Sequence, residues 1–349
     1  MSAEPSSIPK PAIAISGSLA FDHIMNFPGT FRDHILPDKV HVLSISFLFD
    51  SLRRQRGGVA GNIAYSLALL GEHPALIGAG GTDFAEYRDV LAQLGVDTSL
   101  VLDVPDELTG SSFMITDMTG NQIAGFYPGA SVVADSIRVS EIAESCTYGV
   151  VGPTTIEAMR RHAAEFAAGG CRLVYDPSQQ VISVSGEDLA AGIASAWAVI
   201  GSDYEFAVIE RKTGLTIDDI AARVELLGVT YGENGSELRY NGETARIPIA
   251  VANPVVDPTG GGDAYRAGLL KGMLLGWDLA TTGRVASLAA TYAIEHHGPQ
   301  EHAYTPVDFV RRFDRSYPDF AGRISSQELE RPAPRSRCEE TSVSIEKRS

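Results

Sequence analysis

The stretch Asp257-Pro-Thr-Gly-Gly-Gly-Asp-Ala-Tyr-Arg-Ala-Gly268 joins three consecutive glycines to an apolar run with helical spacing. The backbone N–H groups of Gly260, Gly261 and Gly262 can turn toward one point, and a helix starting here adds unpaired N–H groups and the positive end of its dipole. The segment therefore predicts an anion site. Asp263 would repel a bound phosphate unless it takes a proton from the attacking group, which indicates phosphoryl transfer to a hydroxyl. The alternative is a glycine turn in which Asp263 only stabilises a helix N-terminus.

A second glycine motif, Gly57-Gly58-x-x-Gly61-Asn62, also precedes a run with helical spacing. Its glycines would let the backbone approach a ligand closely, and Asn62 offers both a donor and an acceptor. Asn62 as a simple helix cap is the alternative. Asp22 follows the first predicted strand, where ligands collect in open α/β sheets. Its carboxylate suits the two hydroxyls of a sugar diol, although a solvated loop acid is the alternative.

Apolar runs that predict buried strands alternate with helical patterns along most of the chain. This alternation predicts an α/β fold with a central, mostly parallel sheet flanked by helices. Two segments, at about 24–50 and 108–130, break the rhythm, and the second has the pattern of a hairpin from Ser112 to Tyr127. They predict a small separate β-sheet that projects as a lid.

One domain is expected over residues 11–324. From residue 325 to residue 349 the chain is polar and charged, contains Pro332 and Pro334, and has few apolar residues. This composition predicts a disordered tail.

The net charge, the cysteines and the absence of certain motifs argue against several classes of function. The formal net charge of the 349 residues is -16, which argues against nucleic acid or an anionic membrane as a partner. The three cysteines, Cys146, Cys171 and Cys338, lack CxxC spacing, so neither a disulfide framework nor a structural zinc site is expected, and a reducing cytoplasm fits. No signal peptide or transmembrane run is evident. No P-loop motif and no HExxH motif occurs.

Taken together, GGxxGN, the acidic segment Ser202-Asp-Tyr-Glu205 and DPTGGGD resemble the ribokinase or PfkB carbohydrate-kinase family over residues 12–310. Within that family the chain is most similar to bacterial adenosine kinases, on the further segments 16–23, 44–48, 126–130 and 176–180. The resemblance implies a ribokinase-like fold with a β-sheet lid. It also implies transfer of the γ-phosphoryl group of ATP to the 5′-hydroxyl of a purine nucleoside, with adenosine converted to AMP in purine salvage.

The resemblance implies roles for residues on the nucleoside side. Asp263 would be the general base, and the backbone of Gly260, Gly261 and Gly262 would form the anion hole. The ribose and the purine would be held by further residues, of which the two aromatic ones flank the base: Ser18, Asp22, Gly58, Asn62, Ser46, Phe113, Phe126, Gln179 and Gln180.

On the ATP side, Ser202 and Glu205 match the family's NxxE motif, and Glu205 would orient Mg²⁺ through water. Ser202 replaces the usual Asn, and Gly261 replaces the commoner Ala of the glycine turn. Thr259 would contact ATP, and Asp257 and Thr259 would help hold a monovalent cation, as in relatives activated by K⁺. The ATP loop would contain Thr230, Gly232 and Gly235.

Three other functions are also compatible with the sequence. A sugar kinase of the same family would not need the flat slot of Phe113 and Phe126 or the Gln179–Gln180 pair. A broad nucleoside kinase would also accept inosine or guanosine. A catalytically silent nucleoside-binding protein would bind ligand without ATP turnover.

Exposed strand edges of the lid favour a homodimer, since a partner could cover them.

Overall fold

The computed structural model describes residues 11–35, 45–330 and 332. Its strands within these ranges are β1 (Ile13–Ser16), β2 (Ala20–Asn26), β3 (Ser51–Gly57), β4 (Ala75–Gly80), β5 (Asp97–Asp103), β6 (Gly110–Thr116), β7 (Gln122–Tyr127), β8 (Tyr148–Val151), β9 (Arg172–Tyr175), β10 (Ala198–Ser202), β11 (Leu226–Thr230), β12 (Ser236–Tyr240) and β13 (Glu243–Ile247).

The helices of the same ranges are α1 (Phe31–His34), α2 (Val59–Leu69), α3 (Ala85–Gln93), α4 (Ser140–Ala143), α5 (Ile156–Ala168), α6 (Gly186–Ser195), α7 (Asp203–Thr213), α8 (Ile217–Ala221), α9 (Gly261–Leu275), α10 (Leu279–Ile294), α11 (Pro306–Ser316) and α12 (Ser326–Leu329). The described ranges also contain four short 3₁₀ segments, at 129–136, 178–182, 232–234 and 318–320.

The main layer is a nine-stranded sheet in the order β13-β12-β11-β10-β9-β8-β1-β4-β5. The seven strands from β11 to β5 in that order pair in parallel, and β12 and β13 add an antiparallel hairpin at one edge. The chain leaves β1 toward β4 and later returns on the other side of β1 with β8. The crossovers therefore reverse direction between β1 and β8, which is the place where open α/β sheets bind ligands.

Both faces of this sheet are covered, because its strands are continuous apolar runs. Strands β1, β4 and β8 are buried along their whole length. Ile15 and Val150 face a core built with α2, α3, α9, α10 and α11, whereas Ala14 and Val151 face a core built with helices α4 to α8. The predicted parallel sheet with helices on both faces matches this layering.

The lid is a four-stranded sheet in the order β3-β2-β6-β7. Strands β6 and β7 form the predicted hairpin, and the Asp117 carboxylate accepts hydrogen bonds from the backbone of Thr119 and Asn121 in its turn. The other two strands lie at 20–26 and 51–57, at the margins of the predicted range of 24–50. Residues 36–44, which belong to the expected lid range of about 24–50, lie outside the described residues.

The C-terminal part of the domain holds a helix that the sequence analysis missed. Thr305 caps α11, Pro306 takes its first position, and Phe309 and Phe313 bury its apolar face. Helix α12 follows with a capping box from Ser325 and a buried Leu329. The chain therefore stays packed beyond the expected tail boundary at 325, while residues 331 and 333–349 lie outside the described ranges.

Two cysteines, Cys146 and Cys171, are buried as free thiols. No helix in the described part of the chain is long and apolar enough to cross a bilayer.

Phe309→Ala should lower the free energy of unfolding by about 3–5 kcal/mol, because it empties a fully buried site between Tyr292 and Tyr304. Val307→Ala on the same helix is the matched control, since Val307 is half exposed and its loss should change stability by about 0.5 kcal/mol or less. Urea unfolding measures both. Equal effects would show that α11 does not belong to the cooperative core.

Candidate active site

A cavity of about 1060 Å³ runs along the carboxyl edge of the main sheet, beneath the lid. A hydroxyl-bearing residue at or just past the end of each of five strands lines it: Ser18 after β1, Thr154 after β8, Ser178 after β9, Ser202 at β10 and Thr230 at β11. Ligand binding at this edge is expected because the strand ends and their loops leave polar groups there.

The first turn of α9, which is the predicted anion site, forms part of the cavity wall. The helix begins at Gly261, and its N-cap Gly260 adopts a left-handed conformation with φ of 79°. The Gly261 N–H donates to the Pro258 carbonyl oxygen at 3.3 Å. The N–H groups of Gly262 and Asp263 have no acceptor in the described part of the chain. The Gly260 N–H likewise has no acceptor there, so two of the three predicted glycine donors, Gly260 and Gly262, stay available, Asp263 adds another, and Gly261 is used within the turn.

Asp263 is buried within the same turn, with 7% of its surface exposed. Burial raises its pKa to about 6, while the charge of Arg266 and a hydrogen bond from Asn62 act in the opposite direction. The Asn62 amide nitrogen donates to Asp263 at 2.8 Å, and the Asn62 amide oxygen accepts from Gln300 at 2.8 Å. The structure thus uses Asn62, expected at the ribose, to hold Asp263, and it adds Gln300, which the sequence analysis missed. A carboxylate of this pKa is ionised at neutral pH and still basic enough to take a proton.

Asp22 lines the cavity from β2 of the lid. Burial raises its pKa to about 6, with further contributions from the charges of Asp257 and Asp263. Its carboxylate lies against the backbone of Gly57, where a Cβ atom would overlap it. Gly58 caps α2 and lines the cavity. The first glycine of the motif therefore makes room for Asp22, which is a close approach that the sequence alone did not show.

The lid presents one of its two candidate aromatic residues to the cavity. Ser112 and Phe126 pair across β6 and β7, and both line the cavity. Phe113, one residue further along β6, lies on the other face and stacks on His23 with ring centroids 4.8 Å apart. Side chains alternate along a strand, so Ser112 and Phe113 cannot both face the ligand. Phe113 is thus placed away from the expected purine slot, and Ser46 is exposed and does not line the cavity.

Polar groups below the lid come from the loops after β8 and β9. The Gln180 amide nitrogen donates to the Thr154 carbonyl oxygen at 3.0 Å, and Gln179 lies exposed at the rim. The Thr154 hydroxyl is buried and lacks a partner among the residues described here. Ser178 has a φ of 46°, an uncommon conformation for a residue other than glycine. Neither Thr154 nor Ser178 was predicted as a site residue from the sequence, although both follow predicted strands.

On the opposite side, Ser202 and Glu205 form a capping box at the start of α7. The Ser202 hydroxyl accepts from the Glu205 N–H at 3.2 Å, and the Glu205 carboxylate accepts from the Ser202 N–H at 2.7 Å. Serine is as good an N-cap as the asparagine it replaces, so this departure leaves the helix start intact. Glu205, Asp203, Thr230, Gly232 and Thr259 also line the cavity.

Of the residues predicted on the ATP side, Gly235 and Asp257 lie outside this lining. Gly235 closes the turn after 232–234. Both carboxylate oxygens of Asp257 accept backbone hydrogen bonds, from Thr259 at 2.9 Å and Gly298 at 3.1 Å. Asp257 therefore joins two loops beneath the α9 turn.

The chain matches the model of the pfkB family carbohydrate kinases over residues 24–306. A nucleoside kinase of Methanothermobacter thermautotrophicus is 31% identical over 85% of this chain and 94% of its own length. The solved nucleoside kinase of Burkholderia thailandensis in complex with inosine has a TM-score of 0.80 and 38% identity, covering 88% of this chain and 98% of its own. The same protein with ADP-inosine has a TM-score of 0.78 and 40% identity, covering 88% and 96%. The predicted family and the ribokinase-like fold are confirmed.

Asp263→Asn should stabilise the protein more at pH 7.5 than at pH 4.5. A carboxyl group whose pKa rises from 3.8 to about 6 on folding costs stability as pH increases through this window, and the full cost is present above pH 6. The shift corresponds to about 3 kcal/mol at the upper pH. Urea unfolding of both proteins at the two pH values measures it.

Asp106→Asn is the control, because Asp106 is exposed and outside the cavity. Its effect should be the same at both pH values. If Asp263→Asn also had the same effect at pH 4.5 and pH 7.5, Asp263 would not have a raised pKa.

Proposed function

The chain belongs to the pfkB family of carbohydrate kinases, and we propose that it transfers the γ-phosphoryl group of ATP to the 5′-hydroxyl of a purine nucleoside. One observation carries this proposal: the Asp263 carboxylate and the unpaired N–H groups of Gly262 and Asp263 share one turn at the wall of the cavity. A base beside an anion site suits transfer of a phosphoryl group to a hydroxyl. The cavity volume of about 1060 Å³ exceeds the usual range for one ligand and leaves room for two substrates.

The nucleoside half of the cavity lies under the lid. Asp22 offers a carboxylate to the ribose hydroxyls, and Phe126 offers an aromatic face to the base. A free sugar would leave Phe126 without a stacking partner, which favours a nucleoside over a sugar as acceptor.

Adenosine, giving AMP, is the proposed acceptor, and inosine is the second candidate. The Thr154 hydroxyl and the Gln180 amide each offer a donor and an acceptor, so they match either an amino or an oxo group on a purine. The similar Burkholderia thailandensis enzyme was solved with inosine. We therefore propose a purine nucleoside kinase that accepts both.

In the proposed reaction, the Asp263 carboxylate takes the proton of the 5′-hydroxyl as its oxygen attacks the γ-phosphorus. The N–H groups of Gly262 and Asp263 bind oxygens of the transferred group. Asn62 fixes the carboxylate, so catalysis is mainly positioning and electrostatics. Closure of the lid excludes water and prevents hydrolysis of ATP.

The nucleotide would lie along Thr230, Gly232 and Thr259. Mg²⁺ fits this region, because it is usually held by one or two carboxylates together with substrate phosphates, and Asp203 and Glu205 both line the cavity. Within the described residues there is no cluster of three or more metal-ligating side chains. The ion would neutralise phosphate charge, with Glu205 holding it through water. K⁺ activation is proposed from the resemblance alone.

The purified protein should convert adenosine to AMP and inosine to IMP with Mg-ATP, as identified by product mass in a panel that also holds guanosine, ribose and fructose. Phosphorylation of only a free sugar would reject the nucleoside assignment. Absence of any product, together with thermal stabilisation by adenosine, would favour the silent nucleoside-binding protein.

Asp263→Asn should lower kcat by at least about two orders of magnitude, since the base is lost while the nucleoside contacts remain. The dissociation constant of adenosine, measured by calorimetry, should change little. Turnover near that of the original enzyme would reject Asp263 as the base.

We also propose a homodimer that pairs through β7. All six residues of this edge strand are exposed and none is charged, whereas the opposite edge strand β3 carries Arg53, Arg54 and Arg56. Charged edges resist pairing and uncharged ones permit it.

Sedimentation should give twice the chain mass of 37.2 kDa. Ile123→Lys on β7 should yield monomers, while Leu52→Lys on β3 should not. A monomer for the unmodified chain would contradict the dimer.

A further inference from the structure

We propose that Arg266 is a catalytic residue whose guanidinium binds the transferred phosphoryl group as it passes between the substrates. This inference rests on the proposed function, since it assigns a role within phosphoryl transfer. Arg266 lines the cavity although it is 6% exposed.

Arg266 lies one helical turn after Gly262 on α9, and side chains of a helix point back toward its N-terminus. Its Nη1 atom lies 4.0 Å from the Asp263 carboxylate. It also lies 2.7 Å from the position that a Cβ atom on Gly262 would occupy. The guanidinium is thus beside the turn that holds the unpaired N–H groups of Gly262 and Asp263, and beside the proposed base. Any side chain at position 262 would therefore clash with this nitrogen.

The orientation of Arg266 is fixed by Asp176, which directly follows β9 and is fully buried. Nη2 donates to one Asp176 oxygen at 2.7 Å, and Nε contacts the other oxygen. A two-point contact with a carboxylate fixes the plane of a guanidinium. Asp176 therefore occupies Nε and Nη2, and Nη1 is the nitrogen nearest the anion site.

The charges of the cavity lining also favour a role for Arg266 at the transferred group. Of the described residues that line it, Arg266 alone has a cationic side chain, whereas Asp22, Asp203, Glu205 and Asp263 are acidic. A polyphosphate entering this lining meets more negative than positive charge. A fixed cation next to the anion turn would reduce this repulsion where the phosphoryl group is transferred.

During the step, a bond forms between the 5′-oxygen and the γ-phosphorus while the bond from that phosphorus to the bridging oxygen of ADP breaks. The electron pair of the broken bond stays on ADP, and the hydroxyl proton goes to Asp263. Arg266 remains protonated throughout and donates a hydrogen bond from Nη1 to an oxygen of the moving group. Negative charge on these oxygens is what the residue stabilises.

The test compares Arg266→Gln and Arg266→Ala with Arg160→Gln, whose guanidinium pairs with Asp188 outside the cavity. Arg266→Gln should lower kcat by about 100-fold or more, as expected for loss of a group that stabilises transition-state charge. The KM for adenosine should change by less than about threefold. Methylguanidinium should restore kcat of Arg266→Ala at least about tenfold in a saturable manner, an effect that a purely structural role would not produce. Arg160→Gln should be as active as the unmodified enzyme.

Thermal unfolding and adenosine binding of each variant show whether a lower kcat comes from lost catalysis or from a protein that does not fold. If the Gln and Ala variants do not fold, Arg266→Lys is the decisive protein: it keeps the charge, but it cannot hold both Asp176 oxygens and also reach the phosphoryl group. Its kcat should fall at least about tenfold. A kcat within about threefold of the unmodified value in any folded variant, or no rescue by methylguanidinium in a folded Arg266→Ala, would overturn the proposal.

The unmodified enzyme separates this inference from the proposed function. Normal transfer to adenosine with an unaffected Arg266→Gln overturns the role of Arg266 alone. Transfer only to a free sugar overturns the nucleoside assignment, and the same variants then test Arg266 with that sugar. No transfer to any acceptor overturns both.

Discussion

A carboxylate and the N–H groups proposed to bind an anion occupy the same first turn of α9, and the rest of the site is arranged around this conflict. The positive end of the helix attracts Asp263 and would attract phosphate, but the two anions repel each other. Burial alone would protonate the carboxyl group. The hydrogen bond from Asn62 and the charge of Arg266 favour its ionised form, and the resulting pKa of about 6 leaves a carboxylate that is both ionised and basic near neutral pH.

The partners of Asp263 come from distant parts of the chain, and the parallel sheet brings them together. Asn62 lies on α2, Gln300 follows α10, and Asp176 follows β9. Parallel strands place all their carboxyl ends at one edge, so loops far apart in sequence meet there. The positions of the supporting groups therefore depend on the whole sheet, whereas the anion turn depends only on local sequence.

This division explains what could be predicted from the sequence. The α/β layering and the hairpin follow from local periodicity, and the α9 turn follows from its glycines. Which residue of β6 lies beside Phe126 on the cavity face does not follow from local sequence, because it depends on the register of β6 and β7. A shift of one residue would place Phe113 there instead of Ser112. Whether the Gly261 N–H is free or donates to the Pro258 carbonyl oxygen depends on the residue at which the helix begins. Sequence patterns predict that residue only to within a few positions. Arg266 carries no signal by itself, because its proposed role depends on the position of Asp176, 90 residues earlier.

The same electrostatics explain why the site lies against strands that are buried on both faces. Burial raises the pKa of Asp22 and Asp263 to about 6 and that of Asp176 to about 7, so each opposes folding when ionised. Such groups persist only where the surrounding structure supplies enough stability to fix them. Here they flank strands β1, β8 and β9, whose interiors are covered by apolar cores on both faces. The hydrophobic stability of the sheet is thus what allows acidic groups to be buried together at its edge, and unfavourable burial is what raises the pKa of Asp263, the proposed base.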